Sequence, residues 1–246
     1  MRILLMSLAA AAALAAGSTA QAAAYLATYT GVVSDSYAFQ ADSNGDNQVN
    51  TNAFGAVNGS FDGATFTLKF RYDTAVGSEA RSNETDNLSG SAPSSPISWA
   101  VISINGHSAS IGPIADSLVA AFNGVIIGMP DDRGFVHQAE SGDAGGLDYG
   151  VADIFLFNTT VDAELNQTFS GPPSGGDAQH SHGVFGLQRY NAATDTFRVT
   201  GANLTPTYLT IQAIPEPATW ALMLIGFGGL GAALRLRRRT SRRAAA

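Results

Sequence analysis

Residues 64–72 read ATFTLKFRY, and they alternate without a break. Phe66, Leu68, Phe70 and Tyr72 fall on one side, while Thr65, Thr67, Lys69 and Arg71 fall on the other. A side-chain period of two with one apolar face specifies a half-buried antiparallel strand. The same grammar runs outward in both directions. SWAVISINGHSASI (98–111) sets Asn105-Gly106 between two strand-like runs, the composition a tight hairpin turn requires. SLVAAFNGVIIGM (117–129) repeats the device at Asn123-Gly124. Further strands are expected at Tyr25 to Val33, Val151 to Asn158, Gly183 to Tyr190, Thr196 to Thr200 and Tyr208 to Ile214. No helical period interrupts them. Roughly eight to ten strands joined by Gly/Asn/Ser loops predict an all-β body, a single antiparallel β-sandwich of jelly-roll type.

The chain has 246 residues, no cysteine, and Lys69 as its sole lysine. Thiol chemistry and thiolate metal sites are thereby excluded, and the core must stabilise the body without disulfides. The formal charge of −7 hides a strong polarity along the chain. Of 13 basic residues, Arg2 stands at the start and six arginines lie between 235 and 243. The segment between them keeps all 20 acidic residues, for a net charge of about −14. Nucleic acid is a poor partner for such a surface, because phosphate binding needs clustered Lys and Arg.

The opening, MRILLMSLAAAAALAAGSTAQAAAYLATYTG, has the layout of a secretory signal peptide over residues 1–22. Arg2 is the charged region, Ile3 to Ala16 the apolar region, and Ala20-Gln21-Ala22 the small-x-small site for signal peptidase. Cleavage is expected after Ala22, with Ala24 as the second choice. The exported body is then 23–213.

The other end, 214–243, is ordered differently from any globular segment. Pro215-Glu216-Pro217 comes first. Two prolines fix φ and remove two backbone donors, so this tripeptide is extended and outside any helix. Residues 218–234 carry no charge. As a helix they would reach roughly 25 Å, a little short of a ~30 Å hydrocarbon core, which Arg235 and Arg237 can make up by extending to the headgroups. Trp220 suits the opposite interface, and the Arg-rich tail 235–243 places that end in the cytoplasm. Gly228 with Ala232, and Gly229 with Ala233, give a small-xxx-small face for helix packing.

This tail resembles the PEP-CTERM sorting signal in its PEPxxWA variant. The residues that carry the resemblance are Pro215, Glu216, Pro217, Trp220, Ala221, Gly226, Phe227, Gly228, Gly231 and the arginines Arg237, Arg238 and Arg239. The resemblance implies recognition by an exosortase, a membrane transpeptidase-like protease of Gram-negative bacteria that make extracellular polysaccharide. It implies an inner-membrane anchored precursor, then release to the outer membrane, cell surface or extracellular matrix. NAFGAVNGSFDGATFTLKFRYDTAVG (52–77) also resembles a segment that recurs in such exported proteins, through Phe54-Gly55, Phe61-Asp62-Gly63 and Tyr72-Asp73.

Sites within the body are faint. Asp42, Asn44 and Asp46 have the 1, 3, 5 spacing of a calcium loop and resemble a dockerin repeat. Asn47 stands where glycine is expected, and Ala53 where the bidentate carboxylate belongs. A plain polar loop is the simpler reading, with weak calcium binding the alternative and no other cofactor expected. Asp177, His180 and His182 would bring two imidazoles to one face if they lay on a strand, but no third ligand is visible. Asp131, Asp132, Glu140, Asp143, Asp148 and Asp153 are numerous but sit among glycines, and no G-x-S-x-G occurs. Trp99, Tyr149 and Tyr190 are the aromatic candidates for stacking on sugars, although Trp99, in an apolar alternating strand, reads rather as core. The body is therefore expected to be non-enzymatic and associated with extracellular polysaccharide or biofilm. A carbohydrate-binding module and, behind it, a glycoside-active enzyme are the other readings.

Overall fold

The computed structural model describes residues 24–42, 47–48, 54, 60–82, 85–123, 133–142, 148–158, 163–175, 178–215, 227–229 and 235. Within them the chain forms thirteen strands in one antiparallel sheet. They are β1 (Ala24–Asp42), β2 (Asn47–Gln48), β3 (Thr65–Asp73), β4 (Ser78–Arg81), β5 (Thr85–Ser91), β6 (Ile97–Ile104) and β7 (His107–Ile111). The remainder are β8 (Ile114–Asn123), β9 (Arg133–Gly142), β10 (Tyr149–Phe157), β11 (Phe169–Gly171), β12 (Gly183–Asn191) and β13 (Thr196–Ile214). The expected all-β antiparallel body is what the chain builds. Its two walls belong to one curled sheet in the order β4-β5-β8-β9-β10-β12-β13-β1-β3-β6-β7.

The alternating segment that opened the sequence reading is β3. Phe66, Leu68, Phe70 and Tyr72 are all buried, and the intervening residues are not. Asn105-Gly106 makes the β6–β7 hairpin with φ of 52° and 80°, the left-handed pair a two-residue turn needs. The second hairpin differs from expectation. β8 pairs with β9 from Asn123 opposite Arg133, so Asn123-Gly124 is not its tight turn. Asn123 instead holds Ala163 as a strand would, donating to its carbonyl at 2.7 Å and accepting from its N–H at 2.6 Å. A side-chain amide reproduces a backbone peptide's donor and acceptor, which explains why asparagine suits both roles.

β1 and β13 carry the architecture. They pair from Ala24 opposite Ile214 to Asp42 opposite Thr196. Each half of this ribbon then recruits a different wall. β3 pairs with residues 24–32 of β1 and continues to β6 and β7. β12 pairs with the other end of β13, residues 196–204, and continues to β10, β9, β8, β5 and β4. Register shifts at Thr30/Gly31 and Val33/Asp35 mark the place where the ribbon changes walls. Bulges increase local twist and let one strand serve two sheets.

Gly31 and Pro206 face each other at this corner. A Cβ on residue 31 would meet the Thr205 carbonyl and Pro206 Cα, so only glycine permits the approach. Pro206 breaks no ladder bond on its far side. The β12 pairing stops at Leu204 of β13 and the β11 pairing begins at Leu209, so among the described residues that edge is unpaired where the missing N–H belongs.

The walls close over an aromatic core. Tyr25 stacks on its cross-strand neighbour Tyr72 with ring centroids 5.4 Å apart. His137 of β9 crosses from the larger wall to lie among Tyr29, Phe70 and Tyr72 of the smaller one. Its Nδ1 and the Tyr29 hydroxyl share a 2.7 Å hydrogen bond, and its Nε2 has no partner among the described residues. Burial lowers the His137 pKa to about 3 and raises that of Tyr29, so both are neutral in the folded body. Arg189 adds a link at the rim, donating from Nη2 to the Ser110 carbonyl at 3.3 Å.

A group neutral when folded but protonated near pH 6.5 when unfolded withdraws stability as the solution is acidified. Stability from His137 is complete above pH 6.5 and is lost on descending towards pH 3. Tyr29→Phe combined with His137→Phe removes the buried polar pair. Denaturant titrations between pH 7 and pH 4 will show a slope shallower than the parent's by ~1 kcal/mol per pH unit. Equal slopes would mean that His137 remains protonatable in the folded body.

Candidate functional site

Two places emerge, one at the end of the body and one on its side. At the end, β13 continues to Ile214, which faces Ala24. Pro215 follows directly, exposed and outside the strand. Having no N–H, it cannot donate another bond to the ladder, so the sheet ends where the Pro-Glu-Pro begins. The body therefore reaches the motif with no spacer.

Most of the tail lies outside the described residues. Glu216, Pro217, Trp220, Ala221, Gly226, Gly231, Arg237, Arg238 and Arg239 are among these, as are Ala20 and Ala22 at the expected N-terminal cleavage site. Residues 227–229, including Gly228, are helical and exposed, and Arg235 is helical. Among the described residues no helix is long and apolar enough to cross a membrane. The expected span, 218–234, falls almost wholly outside them.

The comparisons with known proteins bear on this end alone. Residues 213–239 match the family model described as the PEP-CTERM protein-sorting motif. The chain carries a PEP-CTERM sorting motif. The motif supports an exported protein sorted and processed at the membrane by an exosortase. No curated protein and no solved structure matches the chain.

On the side of the body, the outer face of the larger wall presents a row of residues in register. It runs Tyr37, Gly201, Gly186, Val151, Glu140, Asp116 across β1, β13, β12, β10, β9 and β8. Tyr37 is 53 % exposed, yet its ring end lies over Gly201, where any Cβ would strike it. One part of the ring thus rests on bare backbone while much of it is open to solvent. Tyr149, 42 % exposed and directly opposite Gln188, and Tyr190, two residues along β12 from Gln188, stand on the same face. Tyr190 is braced by its hydroxyl, which donates to Asp195 at 2.8 Å, and by a 5.0 Å ring contact with Phe197. Tyr149, Tyr190 and Tyr37 thus share one face of the larger wall, on β10, β12 and β1. Trp99 is a correction: it is half-buried on the outward face of β6, opposite Arg71, and is not core.

Asp153 lies one row from the glycines, opposite Gln138 and Val184. Its Oδ1 is buried with no hydrogen-bonding partner among the described residues. Partial burial raises its pKa to about 6, helped by Glu140 and opposed by His182. Among the other acidic candidates, Asp148 accepts the Tyr190 N–H at 2.9 Å and is committed to the backbone. Asp131, Asp132 and Asp143 lie outside the described residues.

The candidate metal-ligating residues are only partly among the described residues. Asp42 is the last residue of β1, opposite Thr196, and β2 pairs with β1 with Asn47 opposite Ala41. Asn44 and Asp46 lie outside the described residues, as does Asp177. His180 ends a short 3₁₀ turn instead of a strand. His182 stacks on Phe155 at 5.1 Å and uses Nδ1 to bond the His180 carbonyl at 2.7 Å. Among the described residues no three metal-ligating side chains converge. Phe54 and Phe61, which carry the recurring segment at 52–77, are buried against each other, and Phe54 also meets Phe185. Asp62-Gly63 turns the chain so that Gly63 donates to the Val33 carbonyl at 2.8 Å.

A carboxyl whose folded pKa exceeds its unfolded value costs stability when ionised. For Asp153 the cost is absent below pH 4, grows as pH rises, and is complete above about 6. Asp153→Asn is expected to raise the melting midpoint at pH 7 and leave it unchanged at pH 4. An equal shift at both values would show that ionisation of Asp153 is not what costs stability.

Proposed function

We propose that this is a non-catalytic exported protein, delivered by exosortase processing to the cell surface or extracellular matrix, where its outer face holds polysaccharide. The sorting motif at 213–239 supports export. The observation that carries the polysaccharide reading is Tyr37 lying over Gly201, with Tyr149 and Tyr190 beyond. A sugar ring stacks through its C–H face on an aromatic plane and exchanges hydroxyl hydrogen bonds with amides and carboxylates. The face offers these groups as Gln138, Gln188, Asn203, Glu140 and Asp153. Its acidic residues, including Asp35 and Asp116, favour an uncharged glycan over an anionic one. Export implies a signal peptidase at Ala22 and a membrane-anchored precursor through 218–234. No cofactor is part of the proposal.

Asp153 favours a second reading, a glycoside-active enzyme. A carboxyl that stays protonated to about pH 6 is suited to protonating a leaving oxygen, with Glu140 as the neighbouring carboxylate.

Changing Pro215, Glu216 and Pro217 together to alanine is expected to leave unprocessed protein in the inner membrane, read by fractionation and intact mass. Normal mass and location would reduce the motif to a spacer. On a glycan array the body is expected to bind neutral polysaccharides, and Tyr37→Ala to weaken that binding about tenfold, the loss of one stacking contact of ~1.4 kcal/mol. Silence on the array would remove the glycan from the proposal. Hydrolysis of such glycans that is abolished by Asp153→Asn would establish the enzyme instead.

A further inference from the structure

A polar cavity lies at the end of the larger wall, where β4, β5 and β8 meet the segment between β10 and β11. It measures about 240 Å³, and Ala163 is the one apolar residue of its described lining. Arg81 and Asp86 form the last rung of the β4–β5 ladder, and beyond them the Thr85 N–H donates to Ser82 Oγ at 2.9 Å. Across the cavity, residues 163–166 alternate, with Ala163 and Leu165 buried and Glu164 and Asn166 exposed. Three strands hold that backbone. Asn123 of β8 bonds both the N–H and the carbonyl of Ala163. The Tyr72 hydroxyl of β3 donates to the Leu165 carbonyl at 3.2 Å, and the Tyr25 hydroxyl of β1 to the Asn166 carbonyl at 2.7 Å. The segment is thus pinned from both walls, and Glu164 and Asn166 are placed across from Asp86 before any ligand arrives.

Arg81 pairs with Glu79 and sets its Nε 3.4 Å from Asp86 Oδ1. That is an ion-pair distance without hydrogen-bond geometry, and the buried Oδ1 has no hydrogen-bonding partner among the described residues. Burial raises the Asp86 pKa, with Arg81 opposing and Glu79 and Glu164 adding to the rise. A buried acceptor left open costs free energy, which a donor entering the cavity recovers. One guanidinium against the carboxylates of Glu79, Asp86 and Glu164 repels an anionic ligand. Arg81, set between Glu79 and Asp86, in turn repels a metal ion. An uncharged ligand with several hydroxyls meets both conditions. Each hydroxyl donates one bond and accepts others, so neighbouring hydroxyls satisfy a carboxylate, a guanidinium and an amide together. The volume, that of about eight waters at ~30 Å³ each, admits one sugar ring and leaves the rest of a chain outside.

We infer that this cavity takes the terminal residue of a neutral glycan, whose hydroxyls bond to Asp86, Arg81, Glu164 and Asn166. For its ligand class the inference rests on the polysaccharide reading given above, but its residues are separate from the tyrosine face. Along β8 that row ends at Asp116 and the cavity begins at Asn123, roughly 20 Å apart at ~3.3 Å per residue. The body then has one place for the length of a glycan and another for its end.

The test titrates the full chain, purified in a sugar-free detergent, with glucose, galactose, mannose, xylose, fucose and N-acetylglucosamine, each alone. Saturation-transfer NMR detects the contact, and titration gives Kd. At least one of these sugars is expected to bind. Asp86→Asn and Asn166→Ala are each expected to weaken that binding about tenfold, the loss of one hydrogen bond in a charged setting. Tyr37→Ala is expected to leave it unchanged. Asp86→Asn keeps the shape of the side chain, and Asn166→Ala keeps the carbonyl that holds Tyr25. The melting midpoint of each variant checks that the body is folded, and Asn166→Ala decides if Asp86→Asn is not. Absence of binding across the panel would overturn the inference, and so would binding that the folded variants leave intact. Binding lost through Tyr37→Ala alone would move the sugar to the outer face, overturning the cavity and upholding the polysaccharide reading. Polysaccharide held on the array without any single sugar bound has the same meaning, whereas silence in both assays removes the two together.

Discussion

Everything in this body hangs on the pairing of its first strand with its last. β1 and β13 run together from Ala24–Ile214 to Asp42–Thr196, and every other strand is attached, directly or in series, to one flank of that ribbon. The flanks are used asymmetrically. β3 takes one half and β12 the opposite half, so the ribbon is a shared spine that belongs to one wall at one end and to the other wall at the other. The corner between them is made by backbone contact at Gly31, where the Thr205 carbonyl occupies the space of a side chain.

Closing the walls brings polar atoms into the interior. His137 Nδ1 and the Tyr29 hydroxyl bond each other across the core, and the rings of Phe70 and Tyr72 pack against the imidazole. Desolvation then keeps the ring uncharged. The same physics acts less completely on the outside. Asp153 is half-buried by its neighbours on the larger wall, and its carboxyl holds its proton to a higher pH than a solvated one. The outer face thus combines tyrosine rings, a side-chain-free strip at Gly201 and Gly186, and acids of unequal strength. On the same face Phe122, Val136 and Phe157 pack together, with Phe155 against them.

How much of this was legible in the sequence depended on whether a local pattern was sufficient to decide it. Strand β3 and the Asn105-Gly106 hairpin were readable because alternation and left-handed turn residues act over a few positions. The sorting motif was readable for the same reason, its order being linear. The sequence pattern separates Thr196 to Thr200 from Tyr208 to Ile214, whereas β13 runs through both, with Pro206 at the gap between its β12 and β11 pairings. Asn123-Gly124 misled because Asn123 bonds Ala163, forty positions away in the chain. Trp99 misled because its strand is apolar on one face only, and the tryptophan is on the other. His137 and Tyr37 gave no signal. One is a lone histidine whose partner is Tyr29, and the other lies in the polar text SDSYAFQAD, where nothing announces Gly201 beneath the ring.

The spine also sets a clock on synthesis. The strand made first finds its mate only when the strand made last has arrived, so the sheet has no way to complete itself around a partial chain. Non-local pairings of this kind form slowly, since the intervening chain must be ordered before the contact repays its entropy. A polypeptide that is threaded through a membrane from its N-terminus gains from such a delay: it stays unfolded while it is still in the cytoplasm. Ile214, the final rung, is followed at once by the Pro-Glu-Pro that precedes the membrane-directed tail. The spine therefore closes only once the whole body has been made.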